Sequence, residues 1–123
     1  MKGVLCGMTW LGAVVTCGAP IDEINAVRKH FSAVKGGRLA AAAPAATKIT
    51  LGVSDVPEGR ESALASGPTL PDPTTCEQVY AVVEKYRILD KLPMALRQRI
   101  AARQLHETPK PGDAAFARAH FQV

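Results

Sequence analysis

The sequence predicts an α/β fold that is rich in helix and poor in strand. Several segments repeat apolar residues at three- and four-residue spacing, which is typical of amphipathic helices. One short β-branched run, Lys48–Val53, lies between them and is bounded by turn-forming residues. This alternation of helix and strand favours layered α/β architecture. A single buried parallel strand needs neighbouring strands on both sides. We therefore also expect the chain to be part of a larger protein or to need a partner.

Composition narrows the class of protein. The chain has 123 residues, of which 47% are hydrophobic and 21% are charged, so one folded domain is expected and wholesale disorder is excluded. A net charge of +4 and few aromatic residues do not indicate a nucleic-acid binder. No apolar run approaches the roughly 20 residues that cross a bilayer. The three cysteines lack the spacing of a disulfide framework or a zinc site, which favours a reducing, cytoplasmic location.

The apolar pattern before Pro44 predicts helices. The stretch Val4–Cys17 after Lys2 imitates a secretory signal, and the alternative is a helix around Met8–Thr16 that ends at Gly18. A stronger helix begins at Pro20 and is expected to stop at the diglycine Gly36–Gly37. Its apolar positions are Ile21, Ile24, Val27, Phe31 and Val34. Arg38–Ala43 is a second, alanine-rich helical run.

The remaining elements follow the predicted strand. Residues 54–75 form a long loop with several prolines, and loops of this length usually serve a function. A helix is predicted over Glu77–Tyr86, with Thr74 or Thr75 as its N-cap, and another over Pro93–Leu105. The tail from His106 is expected to be irregular.

Charge divides the middle of the chain into two blocks. Five cations and no acids occur between Arg28 and Lys48, and five acids and one cation occur between Ser54 and Glu77. The pattern suits an anionic ligand held beside a carboxylate, and its alternative is a pair of solvated faces. The cations are Arg28, Lys29, Lys35, Arg38 and Lys48. The acids are Asp55, Glu58, Glu61, Asp72 and Glu77.

Three short segments are candidates for binding or catalysis. Gly36 and Gly37 precede a helical run and lie between Lys35 and Arg38, so they could bind an anion or simply end a helix. Ser54 and Asp55 follow the strand, where ligands bind in open α/β sheets, and the alternative is a turn. There Asp55 could hold a magnesium ion or accept a proton from a hydroxyl group. The third segment presents hydroxyls and an amide from Ser66, Gly67 and Thr69, or is a rigid surface loop.

Four motifs in order give the chain a resemblance to a known family. They lie at residues 18–40, Ser54–Pro57, Ala65–Thr75 and Glu107–Asp113. Together they resemble the glycerate 2-kinase family of the MOFRL type, whose members are often called hydroxypyruvate reductases. The resemblance implies a partial Rossmann-like three-layer domain over residues 18–123, after a divergent segment at residues 1–17. It also implies ATP-dependent, Mg²⁺-dependent transfer of phosphate to the 2-hydroxyl of D-glycerate, giving 2-phosphoglycerate.

The resemblance also assigns roles to residues. It implies that Lys35 and Arg28 neutralise phosphate charge, and that Asp55 holds the metal or orients the attacking hydroxyl. Further residues would line the site: Asn25, Lys29, Ser32, Ser66, Gly67 and Thr69.

The chain departs from the family pattern at three places. Residues 58–61 read Glu-Gly-Arg-Glu where the family has an acidic pair, and residues 1–17 replace a glycine-rich loop. The family's C-terminal domain is missing, so we expect unpaired sheet edges, an exposed apolar face, and a complementing C-terminal domain or a homo-oligomer as partner. The alternatives to a kinase are a non-catalytic anion-binding or assembly fragment and a degenerate gene remnant.

Overall fold

The computed structural model describes residues 11–53, 58, 64 and 66–122. Residues 11–16 are helical. The helices that follow are α1 (Ile21–Phe31), α2 (Arg38–Ala42), α3 (Cys76–Lys85) and α4 (Met94–Ala101), and the strands are β1 (Lys48–Leu51) and β2 (Ala119–Gln122). Short 3₁₀ turns cover Leu89–Lys91 and Ala114–Phe116. This mixture of helices with a small sheet confirms the predicted α/β, helix-rich class.

The chain forms two compact units. The first contains the residues up to Phe31 and Thr75–His106, and the second contains Ser32–Thr74 and Glu107–Val123. Both units are therefore built from two separate stretches of the chain. The helices α1, α3 and α4 belong to the first unit, whereas α2 and the sheet belong to the second.

The first unit has an aliphatic core in which α1 packs against α3. Fully buried side chains come from the helical segment at residues 11–16, from both helices and from the turn after α3: Val14, Val27, Val79 and Ile88. The N-terminus of α3 carries a capping box, because the Thr75 hydroxyl accepts from the Gln78 amide and the Gln78 side chain accepts from the Thr75 amide. Of the two residues that the sequence offered as the cap, Thr74 and Thr75, the structure selects Thr75.

Helix α1 ends earlier than its apolar pattern suggested. It stops at Phe31 rather than at Gly36–Gly37, and Val34 is half exposed instead of packing in the helix face. The cause is local: the Ser32 hydroxyl accepts hydrogen bonds from the amides of Val34 and Lys35, each at 3.2 Å. A serine that bonds to the following amides offers the backbone an alternative to the helix, and the chain turns there.

The second unit contains a two-stranded parallel sheet of β1 and β2. Lys48 pairs with Ala119 and Leu51 with Gln122. The expectation of an irregular tail after His106 is therefore wrong for Ala119–Gln122. The strand was missed because its four residues lack a β-branched run and its pairing partner is about 70 residues away.

One face of β1 is apolar and open to solvent. Ile49 is 73% exposed, Leu51 is 78% exposed, and Val53 just beyond the strand is 98% exposed. Parallel sheets normally have both faces covered. The exposed apolar face expected from the sequence is therefore present in this unit. Within the described part of the chain, no helix has the length and apolar character needed to cross a membrane.

Candidate functional site

The diglycine bend and the Ser66–Gly67 segment are joined by backbone hydrogen bonds in the second unit. The Gly36 amide donates to the Ser66 carbonyl at 2.9 Å, and the Gly37 amide donates to the Gly67 carbonyl at 2.8 Å. Two of the three segments singled out from the sequence thus meet, although they are 30 residues apart. The amides that could have bound a phosphate are already donating within the chain. The diglycine therefore builds the site rather than offering those two N–H groups to a ligand.

Position 37 accepts only glycine at this junction. Gly37 has φ of 82°, and a Cβ there would lie 2.7 Å from both the Leu70 carbonyl oxygen and the Phe116 Cζ atom. Ser66 also has a positive φ, 61°, and is 3% exposed. A non-glycine residue in this conformation is uncommon, and such residues cluster at functional sites.

The cations beside the diglycine are held by Ser32. The Arg38 guanidinium donates to the Ser32 carbonyl at 3.1 Å, while the Lys35 amide donates to the Ser32 hydroxyl. Lys35 and Arg38 are both half-buried. Ser32, which the sequence suggested as a binding residue, therefore fixes the backbone at Lys35 and the side chain of Arg38.

A pocket of about 270 Å³ lies at the carboxyl end of β1. Two of its lining residues, Thr50 and Thr69, are joined by a hydrogen bond of 2.7 Å between their hydroxyls, which ties the strand to the loop that carries Gly67. Its lining is mostly apolar and comprises Thr50, Leu51, Gly52, Val53, Leu64, Gly67, Pro68, Thr69, Leu70 and Phe121. Ligands bind at this end of strands in open α/β sheets. Pockets for drug-sized ligands measure about 300–1,000 Å³, so this pocket suits a smaller molecule.

Three predicted site residues belong to the first unit. Asn25, Arg28 and Lys29 lie on α1, where the Arg28 guanidinium donates to Asn25 Oδ1 at 3.5 Å. Lys29 is buried. The predicted site residues are thus divided: these three belong to the first unit, and Ser32, Lys35, Gly36, Gly37, Arg38, Ser66, Gly67 and Thr69 belong to the second.

Ser54 and Asp55 lie outside the described residues. Among the described residues that line the pocket, side-chain oxygen comes only from the Thr50 and Thr69 hydroxyls, and no carboxylate is present. Magnesium is usually bound through one or two carboxylates. These residues alone therefore do not fit a magnesium site.

Sequence reasoning missed several residues that shape the pocket. Thr50, Leu70 and Phe121 line it, and Phe116 packs against the diglycine. Phe116 and Phe121 come from the tail, about 80 residues after the diglycine, and no local pattern marks them. Thr50 could have been suspected, since it is a hydroxyl-bearing residue near the carboxyl end of an apolar strand, where ligands bind in open α/β sheets.

Known proteins resemble this chain over most of its length. Residues 8–101 match the model of a family described as a domain of unknown function (DUF4147). A protein from Agrobacterium vitis, for which hydroxypyruvate reductase is a provisional name, is 48% identical over 84% of the chain, which corresponds to 23% of that protein. A glycerate 2-kinase from Pyrococcus horikoshii is 49% identical over 68% of the chain and 19% of its own length.

A solved structure also resembles this chain. The crystal structure of a glycerate kinase from Thermotoga maritima superimposes on 91% of the chain with a TM-score of 0.73 and 38% identity. The match covers 25% of that kinase. The chain thus spans about a quarter of the length of the relatives it matches. The resemblance to the glycerate 2-kinase family is confirmed.

Proposed function

This chain belongs to the DUF4147 family, and from that premise we propose that it is a segment of a cytoplasmic kinase that transfers phosphate from ATP to the 2-hydroxyl of D-glycerate. The product would be 2-phosphoglycerate. One observation carries the proposal: the Lys35–Arg38 segment and the Ser66–Thr69 loop, both part of the resemblance, are joined by two hydrogen bonds beside a small pocket.

The size and lining of the pocket suit the acceptor better than the nucleotide. D-glycerate has only seven non-hydrogen atoms and is small enough for this pocket. A nucleoside triphosphate is too large for a pocket of about 270 Å³. The Thr50 and Thr69 hydroxyls are the polar groups that could bind hydroxyl or carboxylate oxygens there, and because they are bonded to each other only one of them keeps its O–H free to donate. The Gly67 amide is not available, since it donates to the Leu64 carbonyl at 2.8 Å. The apolar remainder, with Leu64, Leu70 and others, would exclude water from the reacting group.

Catalysis of phosphoryl transfer depends mainly on positioning and on charge stabilisation. In the second unit, the fixed backbone around Lys35 would present an ammonium group to the transferring phosphate. By resemblance, Arg28 on α1 is a second candidate for the same role. ATP, when bound, supplies the phosphoryl group. The family's magnesium ion would depend on Asp55, to which the resemblance assigns it.

A chimera tests the proposal on a complete enzyme. This chain would replace the matching quarter of the Thermotoga maritima glycerate kinase, and ADP formation would be measured by a coupled assay with and without D-glycerate. We expect glycerate-dependent turnover. Lys35→Ala should lower that turnover by about 10²-fold or more, because it removes a charge aimed at the transition state. Lys91→Ala is the matched control, since Lys91 is an exposed lysine in a short turn of the first unit.

Two results would overturn the proposal. One is a chimera that melts cooperatively but forms no ADP in response to D-glycerate. The other is equal turnover in Lys35→Ala and Lys91→Ala, which would remove Lys35 from the site.

A second candidate function is that of a non-catalytic piece that assembles with other chain segments. The exposed apolar face of Ile49, Leu51 and Val53 favours it, since such a face is normally covered. A chimera that folds and stays inactive would favour this reading over the kinase.

A further inference from the structure

A buried carboxylate lies beside the loop that lines the pocket. Asp72 is 1% exposed, and its carboxylate accepts from the Thr74 amide at 3.0 Å and from the Thr74 hydroxyl at 2.7 Å. It also accepts from the Thr108 hydroxyl at 2.8 Å, and Thr108 is 3% exposed. All three residues belong to the second unit. The Asp72–Thr108 bond joins two of the motifs that carry the family resemblance.

Lys110 fixes the direction of this bond. Its ammonium group donates to the Thr108 hydroxyl at 2.7 Å and to the Thr74 carbonyl, and it forms an ion pair with Glu107 at 2.9 Å. An ammonium group can only donate and an ionised carboxylate can only accept. The Thr108 hydroxyl must therefore accept from Lys110 and donate to Asp72. The Thr108 hydroxyl thus links the Lys110 ammonium group to the buried Asp72 carboxylate.

A buried carboxylate with several hydrogen bonds adds little to the stability of the fold, but it holds its neighbours in a defined geometry. Removing a carboxylate from water costs free energy that its contacts largely offset, and an apolar residue of similar size would serve stability as well. Hydrogen bonds to a charged group, in contrast, are short and directional.

The loop just before Asp72 contains four of the residues that line the pocket, at positions 67–70. Thr69 is three residues before Asp72, and Leu70 is two residues before it. The same loop is held at its start by the bonds from the diglycine amides to Ser66 and Gly67. At its other end the Asp72 amide donates to the Pro109 carbonyl at 3.0 Å, beside the Thr108 contact.

We propose that Asp72 and Thr108 form a clamp that holds the loop Gly67–Leu70 in the conformation that lines the pocket. Both are positioning residues that act through Thr69 and Leu70. The clamp rests on the proposed function only for the identity of the ligand, D-glycerate. It assigns a role to the segment Glu107–Lys110, to which the resemblance gives none.

Amide hydrogen exchange of the full chain, read by NMR, tests the clamp. Thr108→Val keeps the shape of the side chain and removes the hydroxyl. We expect exchange of the Leu70 and Gly37 amides, which both donate to the Gly67 carbonyl, to become about tenfold faster or more. The Ile88 amide, bonded to Val83 in the first unit, is the internal reference and should keep its rate.

Two further variants keep the test decisive if Thr108→Val folds poorly. Thr108→Ser retains the hydroxyl and should restore slow exchange at Leu70. Asp72→Asn keeps the size but loses the charge, and should accelerate exchange at Leu70 as Thr108→Val does. Equal acceleration at Leu70 and Ile88, or unchanged exchange at Leu70 in both Thr108→Val and Asp72→Asn, would overturn the clamp.

Adding D-glycerate separates the clamp from the proposed function. In the wild-type chain, we expect millimolar D-glycerate to slow exchange at Leu70, and in Thr108→Val to slow it less. If D-glycerate has no effect on the wild-type chain, the ligand proposal fails while the variant comparison still decides the clamp. If D-glycerate protects both chains equally, the clamp fails and the ligand proposal stands.

Discussion

Replacing Gly37 by alanine tests how tightly the candidate site is assembled. The substitution acts in two ways: alanine would have to adopt φ of 82°, and its Cβ would lie 2.7 Å from the Leu70 carbonyl oxygen and from Phe116. The left-handed conformation costs roughly 1–2 kcal/mol for a residue with a Cβ. The crowding adds about 1–3 kcal/mol, because one of the crowded atoms belongs to the backbone and cannot rotate away.

The expected loss for Gly37→Ala is therefore about 2–5 kcal/mol, a large share of the roughly 5–15 kcal/mol that stabilises a typical domain. Gly112 provides a matched control in the same unit. It has φ of 90°, and nothing lies within 4 Å of the position of its Cβ. Gly112→Ala should therefore lose only the conformational part, about 1–2 kcal/mol.

Urea denaturation followed by circular dichroism measures the free energy of unfolding of each variant. The difference between the two variants isolates the crowding at the junction of the diglycine with the loop. Equal losses for Gly37→Ala and Gly112→Ala would refute the reasoning, because they would mean that Gly37 has room for a side chain.

Three smaller predictions concern single contacts. Thr75→Ala removes the α3 cap and should cost about 1 kcal/mol in urea denaturation, whereas Thr75→Ser should cost little; equal losses would contradict the cap. Folding lowers the pKa of Glu23 from its ordinary 4.5, mainly through a hydrogen bond with Tyr86; burial opposes this effect, and Lys85 adds to it. The stabilisation is thus present above pH 4.5 and is lost as pH falls through the lowered pKa. The melting temperature of Tyr86→Phe should therefore fall less than that of the wild type between pH 5 and pH 3, and parallel curves would contradict this. Thr50→Val removes the bond to Thr69 and should cost about 1 kcal/mol by urea denaturation; Thr50→Ser retains the hydroxyl, and a Thr50→Val chain as stable as the wild type would contradict the contact.

The helices were the most predictable part of the fold, since their signals are local. Apolar spacing placed α1 and α3, and the capping pattern narrowed the cap of α3 to Thr74 or Thr75, of which Thr75 is the one observed. The end of α1 was predicted too late because apolar spacing continues to Val34, whereas the Ser32 hydroxyl bonds to the next amides. A side-chain hydrogen bond of this kind competes with the helix and leaves no trace in the apolar pattern.

The candidate site was predictable as separate segments but not as an arrangement. The sequence indicated the diglycine, the cations beside it and the Ser66–Thr69 loop. It left open whether the diglycine binds an anion or ends a helix, and the structure shows the glycine amides bonded to the Ser66 and Gly67 carbonyls. The roles of Lys35 and Arg28 stay predictions.

The approximate positions of the helices, the strand β1 and the family were predictable, because apolar spacing, caps and the order of motifs are local features of the sequence. Which distant segments meet became known only from the folded chain. It paired β2 with β1, seated Phe116 against Gly37, and buried Asp72 against Thr108, a residue 36 positions away. Such contacts join residues that are far apart in the sequence, so they depend on closing long loops of the chain. The local sequence around one partner does not indicate which residue the other partner is.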